Sequence, residues 1–137
     1  MGIMDKKSLT EADIRSKFID PAILGKDWKE EQIRREYYFT DGRVVFDGKH
    51  HGRKEGKKAD YLLFRAPNMP IAIVEAKDNN KSIGSGMQQA MEYAQILDVP
   101  FAYSSNGDGF LEHDFLTGRE KNLTLTEFLG SWELLHR

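Results

Sequence analysis

Glu75 and Lys77 close the apolar stretch Ile71-Ala72-Ile73-Val74-Glu75-Ala76-Lys77, and Asp60 stands at the start of Ala59-Asp60-Tyr61-Leu62-Leu63-Phe64. Charges at the end of a buried run are costly unless paired or bound to a metal, which makes these three residues the first candidates for chemistry. Side chains alternate along a strand, so Glu75 and Lys77 share a face with their charges roughly 7 Å apart. If the two stretches form adjacent antiparallel strands, Asp60 meets them, and two carboxylates and an ammonium share one edge of a sheet. Hard oxygen ligands of this kind suit Mg²⁺, which keeps several waters and binds substrate phosphate through its open positions. Such a metal stabilises charge building on a phosphate and acidifies a bound water, while Lys77 could orient that water or stabilise the phosphorane. The competing reading is a surface ion pair at a strand end. Spacing alone does not choose between them. Acid-x-Lys occurs five times, at Asp5/Lys7, Asp27/Lys29, Asp47/Lys49, Glu55/Lys57 and Glu75/Lys77, and only the last follows a continuous apolar run.

Two further groups of residues bear on the same chemistry. Gln89 and Tyr93 lie together on one flank of an apolar helical stripe, where they are either a pair reaching toward the sheet edge or an ordinary helix-boundary pair. The segment from Lys49 to Lys58 holds five Lys or Arg, two His and one acid. Lys49, Arg53, Lys54, Lys57 and Lys58 could contact phosphates and lend salt-dependent affinity, or could simply decorate a solvated loop. His50-His51 lacks a third ligand and is a poor metal site.

The elements that must position these residues can be read in order. Ser8 or Thr10 caps a first helix carrying Ile14, Phe18 and Ile19, and Pro21 is expected to limit it, with a further short helical segment near 21–25. Residues 27–33 form at most one helical turn. Strands are expected near 33–40 and 42–47, as a hairpin turned at Asp41-Gly42, and then over 59–64 and 71–77. Ile83, Met87, Ala90, Ala94 and Leu97 give residues 82–98 a helical period, and Pro100 marks its end. Strands follow at 101–105 and 110–114, and Thr124 or Thr126 opens a C-terminal helix with Phe128, Leu129, Trp132 and Leu135. The helix between 71–77 and 101–105 makes those two strands parallel, and short links make the earlier ones antiparallel. The expectation is an α/β domain, a mixed sheet flanked by helices, in a chain of 137 residues that suits one domain.

Composition narrows the partners. The net charge is −2, so any nucleic-acid contact must come from local clustering. The absence of cysteine excludes disulfides and Cys-ligated zinc and is compatible with a cytoplasmic protein. No apolar run approaches the length of a membrane span.

The order Asp60, Glu75-Ala76-Lys77, Gln89-Ala-Met-Glu-Tyr93 resembles that of PD-(D/E)XK nucleases of the RecB-like branch. The wording of residues 33–43, 58–63, 74–80 and 104–110 resembles more closely the N-terminal nuclease domain of the R (restriction) subunit of type I restriction enzymes. The resemblance runs from the first helix to about residue 115. It implies a restriction-endonuclease-like fold and a Mg²⁺-dependent endonuclease acting on double-stranded DNA. It also implies Asp60 and Glu75 as metal ligands, Lys77 as the catalytic lysine, and Gln89 and Tyr93 as an accessory pair near the DNA. Glu11 matches the acid the family often places on its first helix, with Asp13 and Glu36 as the other positions open to that role. Ala59 stands where the family's name has proline, a position its chemistry does not need. The family's methylase and specificity subunits would be partners. Its ATP-driven translocase would lie outside this chain, which has no Gly-x-x-x-x-Gly-Lys-Ser/Thr loop. The expectation is therefore an N-terminal domain of a motor-containing subunit. A stand-alone repair or junction-resolving nuclease, and a DNA-binding scaffold with a decayed site, are the alternatives.

Overall fold

The computed structural model describes residues 5–40 and 56–136. A six-stranded sheet runs in the order β1 (Ile33–Thr40), β2 (Gly56–Ala66), β3 (Met69–Ala76), β4 (Phe101–Ser105), β5 (Gly109–Asp114) and β6 (Arg119–Thr124). All neighbours are antiparallel except β3 and β4, whose parallel pairing follows from the helical crossover between them. That crossover is a 3₁₀ turn (Ile83–Gly86) leading into α3 (Met87–Leu97).

Alternation along β3 divides the core. Ala72, Val74 and Ala76 pack with Ile14, Ile19 and Ile23 of the first helix, and with Phe128 and Leu134 from the C-terminal segment. Ile73 packs on the other face with Met87, Ala90 and Ala94 of α3. The sheet is thus the middle of three layers.

The first helix is capped as its sequence suggests: Thr10 Oγ1 accepts from the Asp13 amide, and Asp13 accepts from the Thr10 amide. Pro21 does not end it. Helical structure continues from α1 (Glu11–Ile14) through a π segment (Arg15–Ile19) into α2 (Asp20–Leu24), with Pro21 in the first turn of α2. Proline lacks the amide for, and collides with, the carbonyl four residues back, and a wider turn just before it accommodates both. The helical turn expected within 27–33 is a 3₁₀ turn, Glu30–Gln32.

One further expectation lies outside the described residues, and one changes. The described partner of 33–40 is 56–66, Thr40 lying opposite Gly56; the strand expected at 42–47 and its Asp41-Gly42 turn lie outside the described residues. The C-terminal helix expected from Thr124 or Thr126 is instead a 3₁₀ turn (Leu125–Glu127) capped by Thr124 and a short α4 (Ser131–Leu135), and the strand β6 before them is unexpected. Asp27 explains where α4 starts, since its carboxylate accepts from the Ser131 and Trp132 amides. Trp28 is buried and donates to the Leu129 carbonyl, whereas Trp132 is exposed and stacks on His136.

Candidate active site

The register of the sheet lines up the chemistry. Arg35 opposes Tyr61 and Tyr37 opposes Ala59, so Glu36 on β1 falls across from Asp60 on β2. Tyr61 opposes Val74, so Asp60 falls across from Glu75 on β3, which itself opposes Ser104 on β4. One row across four strands reads Glu36, Asp60, Glu75, Ser104.

At this row the β1–β2 ribbon turns over. Arg35 reaches Asp20 on α2 and Tyr61 lies in the core beneath the first helix. Two residues away, Tyr37 and Ala59 belong to the opposite core, beneath α3. Regular alternation would put each pair on one side. The change is absorbed at Glu36, whose φ is +52°, a left-handed value that glutamate adopts at a cost. The other described non-glycine residues with positive φ, Asn68 and Asp98, occupy a turn and a helix end.

Asp60 and Glu75 are 6% and 3% exposed. Each is fixed by the other's strand: Glu75 Oε2 accepts from the Asp60 amide at 3.0 Å, and Asp60 Oδ2 accepts from the Ala76 amide at 2.8 Å. These bonds place two carboxyl groups side by side, with one oxygen of each committed to backbone. Burial, then the neighbouring Asp60 charge, pushes the Glu75 carboxyl up to about 8. Two carboxyl groups buried this close together favour holding a proton; a cation in the same place would displace it.

Lys77 joins them on one face. A β-carbon built on Gly86 would lie 3.4 Å from both Glu75 Cβ and Lys77 Cε, so both side chains run beneath the turn that begins α3. That turn is fastened by Ser104, whose Oγ accepts from the Gly86 amide (3.0 Å) and donates to the Ile83 carbonyl (2.7 Å). On α3, Gln89 Nε2 donates to Tyr93 Oη at 2.6 Å, and Phe39 meets the Tyr93 ring edge-on at 5.0 Å. Tyr93 is therefore a buried member of the layer, and Gln89 its half-buried cap.

Glu11 approaches without joining. Burial and then the Asp60 charge raise its carboxyl, with Arg15, Lys77 and Lys58 acting in the other direction. Yet among the described residues no three His, Asp or Glu side chains form a group that could hold a metal ion. Asp13 is spent on the helix cap and Glu36 on an ion pair with Arg15. Lys57 and Lys58 sit on β2 opposite Phe39 and Tyr38, while Lys49, Arg53, Lys54 and the His50-His51 pair lie outside the described residues. Sequence reasoning missed Arg15, Gly86 and Ser104, which act through contacts between elements distant in the chain.

Comparisons with known proteins agree on what this region is similar to. Residues 47–99 match the family model described as the second domain of the type I restriction enzyme EcoKI endonuclease subunit. The type I restriction enzyme EcoAI endonuclease subunit of Escherichia coli is 44% identical over 139 residues, covering 98% of this chain and 17% of the relative. A solved fragment from Vibrio vulnificus YJ016, assigned as the HsdR subunit of a type I restriction enzyme, is 43% identical. It superposes with a TM-score of 0.78 over 93% of this chain and 25% of that one. The sheet order, the mixed pairing and the helical layers are those of a restriction-endonuclease-like α/β domain. The chain spans a sixth to a quarter of the length of these relatives, and over that span it is similar to type I restriction enzyme endonuclease subunits.

Proposed function

We propose that this chain is the nuclease domain of a type I restriction R subunit, hydrolysing phosphodiester bonds of double-stranded DNA with Mg²⁺. The observation that carries the reading is the reciprocal anchoring of Asp60 and Glu75, two buried carboxyl groups set side by side with Lys77 on the face of Glu75. The donor set is all oxygen, which fits a hard divalent cation, and Asp60 and Glu75 would hold it through the oxygens not committed to backbone. When bound, the cation supplies charge stabilisation at the phosphate and a more acidic water.

The protein's own residues do the rest. Burial beneath the turn Ile83–Gly86 shields Glu75 from water. Lys77 orients the attacking water or stabilises the phosphorane. Gln89, held by Tyr93, contacts the DNA strand beside the scissile bond. The greater length of the relatives leaves room for a translocase elsewhere in the full subunit, and the family resemblance implies methylase and specificity subunits as partners in a cytoplasmic complex.

The test is made in the complete subunit assembled with its partners. Glu75→Ala and Lys77→Ala are each expected to lower double-strand cleavage by ~10²-fold or more, the scale of losing a preorganised charge in an active site, with the fold unchanged by circular dichroism. Full cleavage by either variant would overturn the assignment.

A further inference from the structure

Two anomalies outside the proposed ligand set meet at one side chain. The first is the left-handed backbone of Glu36, inside a strand and across from Asp60. The second is Arg15 Nε, a buried N–H donor with no hydrogen-bond partner among the described residues. Arg15 Nη1 lies 3.3 Å from Glu36 Oε2, and Arg15 Nε lies 4.0 Å from Glu11 Oε2, one helical turn earlier. The Arg15 side chain is 18% exposed, so this is a half-enclosed guanidinium shared among acids. Burial works against its charge, and the Glu36 hydrogen bond and the carboxylates of Asp60 and Glu11 outweigh that burial.

The strain at Glu36 has a consequence for direction. The left-handed residue is where the ribbon turns over, and its carboxylate reaches the first helix and takes one edge of the guanidinium. Arg15 also heads the π segment and its carbonyl accepts from Tyr61 Oη, so its own backbone is tied to β2. A planar fork held at one edge by Glu36 presents its remaining edge in a fixed direction. That edge carries Nε, and it faces Glu11.

We propose that Arg15 is a positioning residue of the metal site, held by Glu36, whose Nε–H closes onto Glu11 when a divalent cation occupies the Asp60–Glu75 pair. The inference rests on the metal-binding reading given above. Arg15 is now counter-charge to three acids. A cation held by Asp60 and Glu75 would relieve Arg15 of the Asp60 charge, and the guanidinium would then close the 4.0 Å gap and fix Glu11 beside the pair.

The experiment follows two proton–nitrogen pairs of this chain by NMR as Mg²⁺ is added. The Ala76 amide, hydrogen-bonded to Asp60, reports filling of the carboxylate pair; Arg15 Nε–H reports the inference. Both are expected to shift with one midpoint, and exchange of Arg15 Hε with water is expected to slow at least tenfold. Arg15→Lys keeps the charge and loses the fork, and is expected to raise the Mg²⁺ midpoint about tenfold, as loss of an orienting partner does. If that variant does not fold, Glu36→Gln carries the same test with the same direction. A saturating Ala76 shift with Arg15 Hε unmoved overturns the inference and leaves the metal site standing. An Ala76 amide unmoved in the wild type rejects the metal site itself, and the inference with it.

Discussion

At the scale of single residues, Glu75 is the group whose environment is most at odds with its chemistry. Its carboxyl is raised from 4.5 to about 8 by burial and by Asp60. The folded chain therefore keeps a proton that the unfolded chain releases. Between those two values the native state binds more protons, so the stability of the cation-free chain declines as pH rises from about 4.5 to about 8 and then levels off. Thermal melts across this window should show the decline. Glu75→Gln, which cannot ionise, should flatten it and raise Tm at pH 8, by roughly 4 °C for each kcal/mol gained. A variant with the same slope as wild type would remove Glu75 as the cause. Gly86 is the second residue with a sharp consequence. An added β-carbon would stand 3.0 Å from Ser104 Oγ, which cannot yield without losing its bonds to the Gly86 amide and the Ile83 carbonyl. A turn that shifts to relieve that contact also moves against Lys77 Cε, which the same β-carbon would touch at 3.4 Å. Gly86→Ala is expected to cost ~1–3 kcal/mol of stability, as overpacking does. It should also lower cleavage about tenfold or more in the complete subunit, through misplacement of the lysine. Cleavage at the wild-type level in a variant destabilised by that amount would mean that Lys77 is not held by this turn.

At the scale of elements, the start of α4 depends on a side chain more than a hundred positions away. Asp27 supplies both acceptors for the first amides of that helix, and its charge favours the helix N-terminus. Asp27→Ala should cost ~1–2 kcal/mol in denaturant unfolding, the range for a lost cap, and should loosen the layer containing Phe128 and Leu134. An unchanged midpoint would show that packing alone fixes α4. The same long-range dependence explains what the sequence concealed. Strand β3 and helix α3 were legible because Ile71–Val74 is continuously apolar and Ile83, Met87, Ala90 and Ala94 keep a helical period. Asp60 and Glu75 were legible as a pair because short links force β2 against β3. Strand β6 was not: in Arg119-Glu120-Lys121-Asn122-Leu123-Thr124 only Leu123 is buried, and this edge strand is specified by pairing with β5. Pro21 was legible as part of the first turn of a second helical segment near 21–25; the π turn that joins it to the first helix without a break was not, because no residue type announces that local adjustment. Arg15 and Ser104 were invisible for a related reason. One is an ordinary charged residue on a helix and the other an ordinary serine in a strand until the fold brings Glu36 and Gly86 to them.

At the scale of the whole molecule, the difficulty is electrostatic. A chain of net charge −2 repels a polyanion on average, so the DNA affinity that the proposed nuclease function requires must come from where its cations sit. Lys57 and Lys58 occupy the end of β2 that leads into Asp60, on opposite faces of the ribbon and both beyond the row where it turns over. Lys57 opposes Phe39, which packs on Tyr93 and so belongs with the Gln89 side of the site. Lys58 opposes the exposed Tyr38 and acts on the Glu11 carboxyl, which places it with the first helix. A DNA strand crossing the carboxylate pair would therefore pass one lysine on each flank. Each phosphate contact releases about one counterion, so the logarithm of affinity falls with the logarithm of salt by ~0.9 per contact. In a cleavage-deficient Glu75→Ala background, Lys57→Ala and Lys58→Ala should each reduce that slope by about 1, equally on unrelated DNA sequences, because phosphates carry no sequence. The double substitution should reduce it by about 2. If only Lys57 changes the slope, the strand runs along α3 and leaves the first helix untouched; if neither does, DNA reaches the carboxylates by a route that avoids this end of β2.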